Sequence, residues 1–313
     1  MFENTYKDRF TMLSGSYMLE RLSTPMEKVD VVLDTDTYNE VDDQFALAYS
    51  LLVPERINVE AVYAAPFLND RAASPADGMV KSYNEIQTVL GLMGRKESMP
   101  VLKGSDRFLE NPADPVRSPA ALDLVERAMR RKEKPLYVLA IGCPVNIASA
   151  LLIEPAIREK IIVVWLGSHP PYWMSAREFN CSQDIISSQV LYNSGVPFVN
   201  IPCKNVAEHL RTSVPELKAC IAGTSRISDY LYSIVKDYSK GDPVWSKVIW
   251  DISTVAYLVN PSWIPTQIIH APVLTDHHTF SLDARRHFMR VAIDANRDLV
   301  FADMFARLNA CGN

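Results

Sequence analysis

The sequence predicts an α/β fold, an open and mostly parallel Rossmann-like sheet flanked by helices. Short runs of valine, isoleucine and leucine recur along the first 201 residues, the pattern of strands buried on both faces. Between them lie segments whose apolar residues recur at helical spacing, and strands alternating with helices imply βαβ units. The chain has 313 residues, 48% of them hydrophobic and 22% charged, which suits a folded domain and excludes a disordered chain.

Residues 1–28 read as an irregular or helical leader. The run VDVVL at 29–33 is the first strand, and Phe45, Ala46, Leu47, Ala48, Leu51 and Leu52 then mark a helix. A strand at 58–64, a helix at 78–92 and a short strand at 100–102 follow. The helix at 119–131 is amphipathic, turning on Ala120, Leu124, Ala128 and Arg131. Strands at 136–141, 161–166 and 197–201 alternate with helices at 145–152 and 185–194. Beyond about 205 the pattern turns helical, longest over 215–238, then gives a strand pair near 266–273 and 289–294 and a last helix near 302–308. No repeat, low-complexity stretch or clear linker interrupts it, so 1–313 reads as one domain.

Composition removes several classes. Lysine plus arginine number 32 against 37 acids, a net charge of −5, where a general nucleic-acid binder needs a basic face. The 11 glycines form no G-x-G, no Walker-type loop and no G-x-S-x-G elbow. The five cysteines form no C-x-x-C pair, which argues against a cysteine zinc site and fits a reducing compartment. With no signal-peptide core, and IIVVWLG at 161–167 as the longest strongly apolar run, a cytoplasmic protein without membrane association is expected.

The most informative stretch is VVLDTDTYNEVDDQFALAYSLL, residues 31–52. Asp34, Asp36, Glu40, Asp42 and Asp43 cluster where the first strand gives way to a helix, the end of a parallel strand at which ligands bind. One aspartate there would serve as a helix cap, but five acids exceed what capping needs. Clustered carboxylates repel unless a cation or protons neutralise them, and oxygen ligands favour Ca²⁺ or Mg²⁺. Two enzyme classes begin this way. Haloacid-dehalogenase-type phosphatases carry D-x-D-x-[TV], matched by Asp34 and Asp36 but not by Tyr38. That reading makes Asp34 a nucleophile with magnesium. A catalytically silent sugar-binding protein is a third reading.

The second class is the inosine-uridine-preferring nucleoside hydrolase family, whose hallmark is an apolar strand, then D-x-D-P-G-x-D-D, then an apolar helix. The chain resembles it through Asp34, Asp36, Asp42 and Asp43, with T-Y-N-E-V in place of P-G-x. Further segments resemble the family in the same order: PVLKGSDRFL at 100–109, LAIGCPVNIASA at 139–150, EFNCSQD at 178–184, WDISTVAYL at 250–258 and VAIDANRDLVFADMFARL near the end. The likeness covers about 29–310, nearly the whole chain.

The resemblance implies a calcium-dependent hydrolase of the N-glycosidic bond of a ribonucleoside or related ribosyl compound, with a nucleoside hydrolase-like fold. The calcium ligands it implies are Asp36, Asp43, Asp251 and the backbone carbonyl of Val145. Asp36 also takes a proton from water, Asp42 orients the 2′-hydroxyl, and Glu178 and Asn180 hold ribose hydroxyls. Asp34 supports these, Asn146 holds its loop, and Asp251 is expected to cap the helix at 252–258 as well. The leaving-group side departs from the family. Trp250 stands where the family has a histidine, and Asn69 is offered in place of an asparagine whose own position holds Phe67. In GSHPPYWMSAR, His169, Tyr172, Trp173 and Arg177 are candidates to face the base, while His277 and His278 read as a solvated loop. Family likeness also implies a dimer or tetramer.

Overall fold

The computed structural model describes residues 9–311. Within the leader, Gly15–Arg21 forms helix α1, capped by Ser14. Strand β1 (Val29–Thr35) is the central organiser. Val31 and Leu33 enter the hydrophobic cluster on one face of the sheet and Val32 the cluster on the other, as a strand covered on both sides requires.

The chain continues through α2 (Asp43–Leu51), β2 (Ile57–Ala64), α3 (Pro75–Leu92) and β3 (Val101–Lys103). It then runs back through α4 (Pro119–Met129), β4 (Leu136–Ala140), α5 (Val145–Ile153), β5 (Ile161–Leu166), α6 (Phe179–Gln183), α7 (Ile185–Ser194) and β6 (Phe198–Ile201). Each element predicted up to residue 201 is present, shifted by at most a few residues at its ends.

The eight-stranded sheet has the order β3-β2-β1-β4-β5-β6-β12-β9, where β9 is Thr266–His270 and β12 is Phe288–Ala292. Strand β1 pairs in parallel with both β2 and β4, so the chain winds outward in opposite directions from this point. Such a reversal opens a crevice beyond the carboxyl ends of β1 and β4, the place where doubly wound sheets bind ligands.

The C-terminal third adds β7 (Arg211–Ser213), α8 (Val214–Cys220), α9 (Arg226–Tyr238), β8 (Ser246–Val248) and α10 (Ile252–Val259). The long helix expected over 215–238 is two helices. Gly223 breaks it with φ +80°, and Ser225 starts α9 by accepting the Ser228 N–H. The expected strand pair is β9 (Thr266–His270) against β12 (Phe288–Ala292), antiparallel at the sheet edge, with a small hairpin of β10 (Val273–Leu274) and β11 (Phe280–Ser281) between them. Strands β7 and β8 form a second small ribbon that the sequence pattern did not announce. Helix α11 (Arg297–Ala310) ends the described chain, and no described helix is long and apolar enough to cross a membrane.

Helices α2 and α10 pack together and are buried almost all round, so the hydrophobic core itself fixes where they begin. Asp42 and Asp43 stand at the start of one, and Asp251 at the start of the other.

Candidate active site

The crevice beyond β1 and β4 is a cavity of about 380 Å³. Its wall includes Asp36, Asn39, Glu40, Asp42, Asp43, Asn69, His169, Glu178, Asn180, Trp250 and Asp251. Residues more than 200 positions apart in sequence therefore meet where the sheet topology places a ligand.

Asp42 and Asp251 occupy the first-cap positions of α2 and α10, yet neither side chain makes a capping hydrogen bond. Capping is therefore not what either carboxylate does, and the capping expected of Asp251 is not found. Asp42 Oδ2 instead accepts the backbone N–H of Trp250 at 3.2 Å. Asp43 Oδ1 accepts from Thr35 Oγ1 at 2.5 Å. One carboxylate oxygen from each of Asp42, Asp43 and Asp251 lies within 4.8 Å of the others.

Asp36 is fully buried, and neither of its oxygens has a hydrogen-bond partner among the described residues. It abuts Asp43, acceptor against acceptor, so only a shared proton or a cation can join the two. Asp34 sits deeper. Its Oδ1 accepts from Asn146 Nδ2 at 2.7 Å, while Asn146 Oδ1 accepts the Ser105 backbone N–H at 2.7 Å. Asn146, inside α5, thus ties the loop after β3 to the end of β1 and does not hold its own loop as expected. Val145, buried at the start of α5, lies just beyond the turn at Gly142 that packs on Asp36.

Burial dominates the electrostatics. It pushes Asp34 and Asp43 up to about 7, the latter helped by Asp42. Burial and the neighbouring aspartates hold Asp36 and Asp251 well above the usual carboxylate range. Asp42 is raised by burial and pulled back by Lys247. A buried set of oxygen donors with no counter-charge of its own on Asp36 fits a hard divalent cation. Asp36, Asp43 and Asp251 are side chains on the wall that could hold it, with Asp42 beside them; Val145 does not line the cavity.

On the opposite wall, Glu178 is half-buried at the start of α6 and accepts the backbone N–H groups of Ser168, Asn180 and Cys181 at 2.8, 3.0 and 3.2 Å. Asn180 Nδ2 donates to the carbonyls of Ile141 and Leu166, which fixes the side chain between β4 and β5. Asn69 reaches the wall, donating to Asn39 Oδ1 at 2.6 Å, whereas Phe67 is wholly buried outside it.

The aromatic loop divides. His169 lines the cavity, with burial and then Lys204 lowering its proton affinity. Trp173 does not reach the wall and meets His169 edge-on from outside, ring centroids 6.4 Å apart. Tyr172 is largely exposed, and Arg177 turns away to His278 Nδ1 at 3.3 Å. His278 is not solvated as expected: it is buried, and its carbonyl accepts the Ala176 N–H, pinning this loop.

Sequence reasoning missed Lys247. Its side chain, on β8, is only 6% exposed and stands 3.2 Å from Asp42 Oδ1 and 2.5 Å from Glu40 Oε2. No spacing marks it, and its only sequence cue is a lysine set beside Val248 and Ile249, just before the Trp250–Asp251 motif.

Comparison with known proteins gives a consistent result. The model of the inosine-uridine preferring nucleoside hydrolase family matches residues 31–302. The pyrimidine-specific ribonucleoside hydrolase RihA of Escherichia coli O1:K1 is 24% identical over 265 residues, 75% of this chain and 81% of that one. Its Klebsiella pneumoniae counterpart is 23% identical over 304 residues, 85% and 94% of the two chains. Among solved structures, a plant nucleoside hydrolase superposes with TM-score 0.71 at 18% identity, covering 90% of this chain and 99% of that one. The inosine-uridine preferring nucleoside hydrolase from Bacillus anthracis gives 0.67 at 19%, covering 91% and 100%. With the family match spanning the acidic crevice and both walls, the chain belongs to the inosine-uridine preferring nucleoside hydrolase family and is an N-glycosidic hydrolase.

Proposed function

We propose that this protein is a calcium-dependent hydrolase that cleaves the N-glycosidic bond of a ribonucleoside or related ribosyl compound and releases ribose. The observation that carries the proposal is Asp36, a buried carboxylate with two unpartnered oxygens inside a crevice of further aspartates. Asp36, Asp43, Asp251 and the Val145 carbonyl would hold the ion. When bound, calcium supplies a fixed positive charge that grips sugar hydroxyls and makes a water more acidic.

The chain's own residues do the rest. Asp36 accepts a proton from the attacking water. Asp42 orients the 2′-hydroxyl, and Glu178 and Asn180 hold the sugar's remaining hydroxyls. The carboxylates around the ring favour the positive charge that develops as the bond to the base breaks. Trp250 offers a stacking face to the base, but an indole cannot act as an acid near neutral pH. His169 and Asn69 offer the polar contacts on that side, and Trp173 backs His169.

Two of the relatives named above are pyrimidine-specific and one is inosine-uridine preferring, so the base is chosen by assay. The five free cysteines support a cytoplasmic setting, and family likeness supports a dimer or tetramer. Purified protein stripped with EDTA and reloaded with calcium is offered inosine, guanosine, uridine and cytidine, and free ribose is measured. Calcium-restored release from at least one is expected. Release from none, under conditions where the protein is folded and calcium-loaded, contradicts the proposal.

A further inference from the structure

A lysine is almost never buried unless paired, and Lys247 is buried against the wall of an acidic crevice. It does not line the cavity itself but stands behind Asp42. Asp42 is 3% exposed and held on both oxygens: Oδ1 faces Lys247 Nζ at 3.2 Å, and Oδ2 accepts the Trp250 backbone N–H at 3.2 Å. Lys247 is braced in turn. Its ammonium donates at 2.5 Å to Glu40 Oε2, and Glu40 Oε1 accepts from Tyr238 Oη at 3.1 Å. Glu40 lies in the T-Y-N-E-V stretch that replaces P-G-x between Asp36 and Asp42, the place where this chain departs most from its family.

A buried ion pair is a poor source of stability, because desolvation offsets the attraction. Orientation is what such a pair supplies well. Two fixed donors set the orientation of the Asp42 carboxylate, and its remaining acceptor sites serve the cavity that Asp42 lines beside Asp251. We propose that Lys247, braced by Glu40, is a positioning residue that aims the Asp42 carboxylate at the sugar's 2′-hydroxyl, and thereby makes the site demand a ribosyl rather than a 2′-deoxyribosyl ligand. The inference rests on the reading that Asp42 meets the 2′-hydroxyl. A deoxy sugar forgoes the hydrogen bond that a 2′-hydroxyl makes to this charged group, which costs binding.

The test uses calcium-loaded full-length protein and two ring-locked probes, methyl β-D-ribofuranoside and its 2-deoxy analogue, with affinities read by calorimetry. The wild type is expected to prefer the ribofuranoside by about 10- to 100-fold, the span of one hydrogen bond to a charged group. Lys247→Met is expected to lose that preference to within about 3-fold, by weakening the ribofuranoside while leaving the deoxy probe unchanged. Lys247→Arg restores most of it. Glu40→Gln, which keeps the lysine and is the safer variant for folding, reduces it by about half or more on a logarithmic scale. A wild type without preference, an unchanged ratio in both variants, or equal weakening of both probes overturns the inference, the last because it marks a merely structural lysine. Nucleoside turnover is measured on the same samples. A preference that collapses in Lys247→Met, in a wild type that cleaves no nucleoside, upholds the positioning role and removes the catalytic reading instead.

Discussion

Gly142 stands directly against the Asp36 carboxylate: a Cβ built on it would come 2.9 Å from Asp36 Cγ and 3.1 Å from its Oδ1. The turn leaving β4 must therefore carry no side chain at this point if Asp36 is to keep its place. Gly142→Ala is expected to shift the carboxylate and lower kcat by about 10- to 100-fold, since small misplacements of a reacting group cost rates of that order. Kinetics paired with thermal melting check this. Wild-type kcat in a folded Gly142→Ala protein contradicts it.

Asp36→Asn keeps the shape of the side chain and removes its capacity to take a proton. Turnover should drop at least about 100-fold. At saturating calcium, binding of methyl β-D-ribofuranoside should persist within about 10-fold, because the asparagine keeps an oxygen for the ion and Glu178, Asn180 and Asp42 remain. Steady-state kinetics and calorimetry on one preparation separate the two. Near-normal turnover shows that another group is the base.

Asn146 joins four buried groups: Asp34, the N–H and hydroxyl of Ser105, and the hydroxyl of Ser118. Asn146→Ala leaves Asp34 and the Ser105 N–H without them, at a cost of about 1–3 kcal/mol for each buried group left unsatisfied. A fall in Tm of several degrees is expected, and an unchanged Tm contradicts the assignment.

Without metal, the folded chain keeps protons on Asp34 and Asp43 up to about pH 7, whereas an unfolded chain releases them near 3.8. Folded protein thus binds more protons than unfolded in this range, and stability falls as pH rises, by up to about 1.4 kcal/mol per pH unit for each group. Burial holds His287 down to about 4, which works in the opposite sense, but only below the unfolded value of 6.5. Between pH 6.5 and about 8 the aspartates dominate. The Tm of EDTA-treated protein should fall across that window, and added calcium should raise Tm more at the upper end. A Tm that climbs over the window, or a calcium effect independent of pH, contradicts this.

How much of this was legible in the sequence depends on what each residue's position answers to. The strand β1 was readable because both of its faces are buried, and a run such as VDVVL has few other uses. The acidic cluster was readable because its spacing ties it to that strand and the following helix. The break around Gly223 was not, because the apolar pattern of α8 and α9 runs on across it, while the glycine's positive φ and the Ser225 cap separate the two helices. Lys247 was invisible for a different reason. It meets Glu40 across 207 positions of sequence, through a ribbon of two three-residue strands with too few residues to show a period. The loop around Trp173 illustrates a third limit: residue type favoured a substrate contact, but the bonds from His278 decide which rings face inward.

The central claim is that this crevice binds one calcium ion beside a proton-accepting Asp36. A crystal structure of the calcium-loaded protein, with anomalous scattering to identify the ion, tests it most directly. The account predicts one calcium held by Asp36, Asp43, Asp251 and the Val145 carbonyl, with Asp42 still paired to Lys247. An empty crevice at saturating calcium, or an ion bound without Asp36, would contradict it.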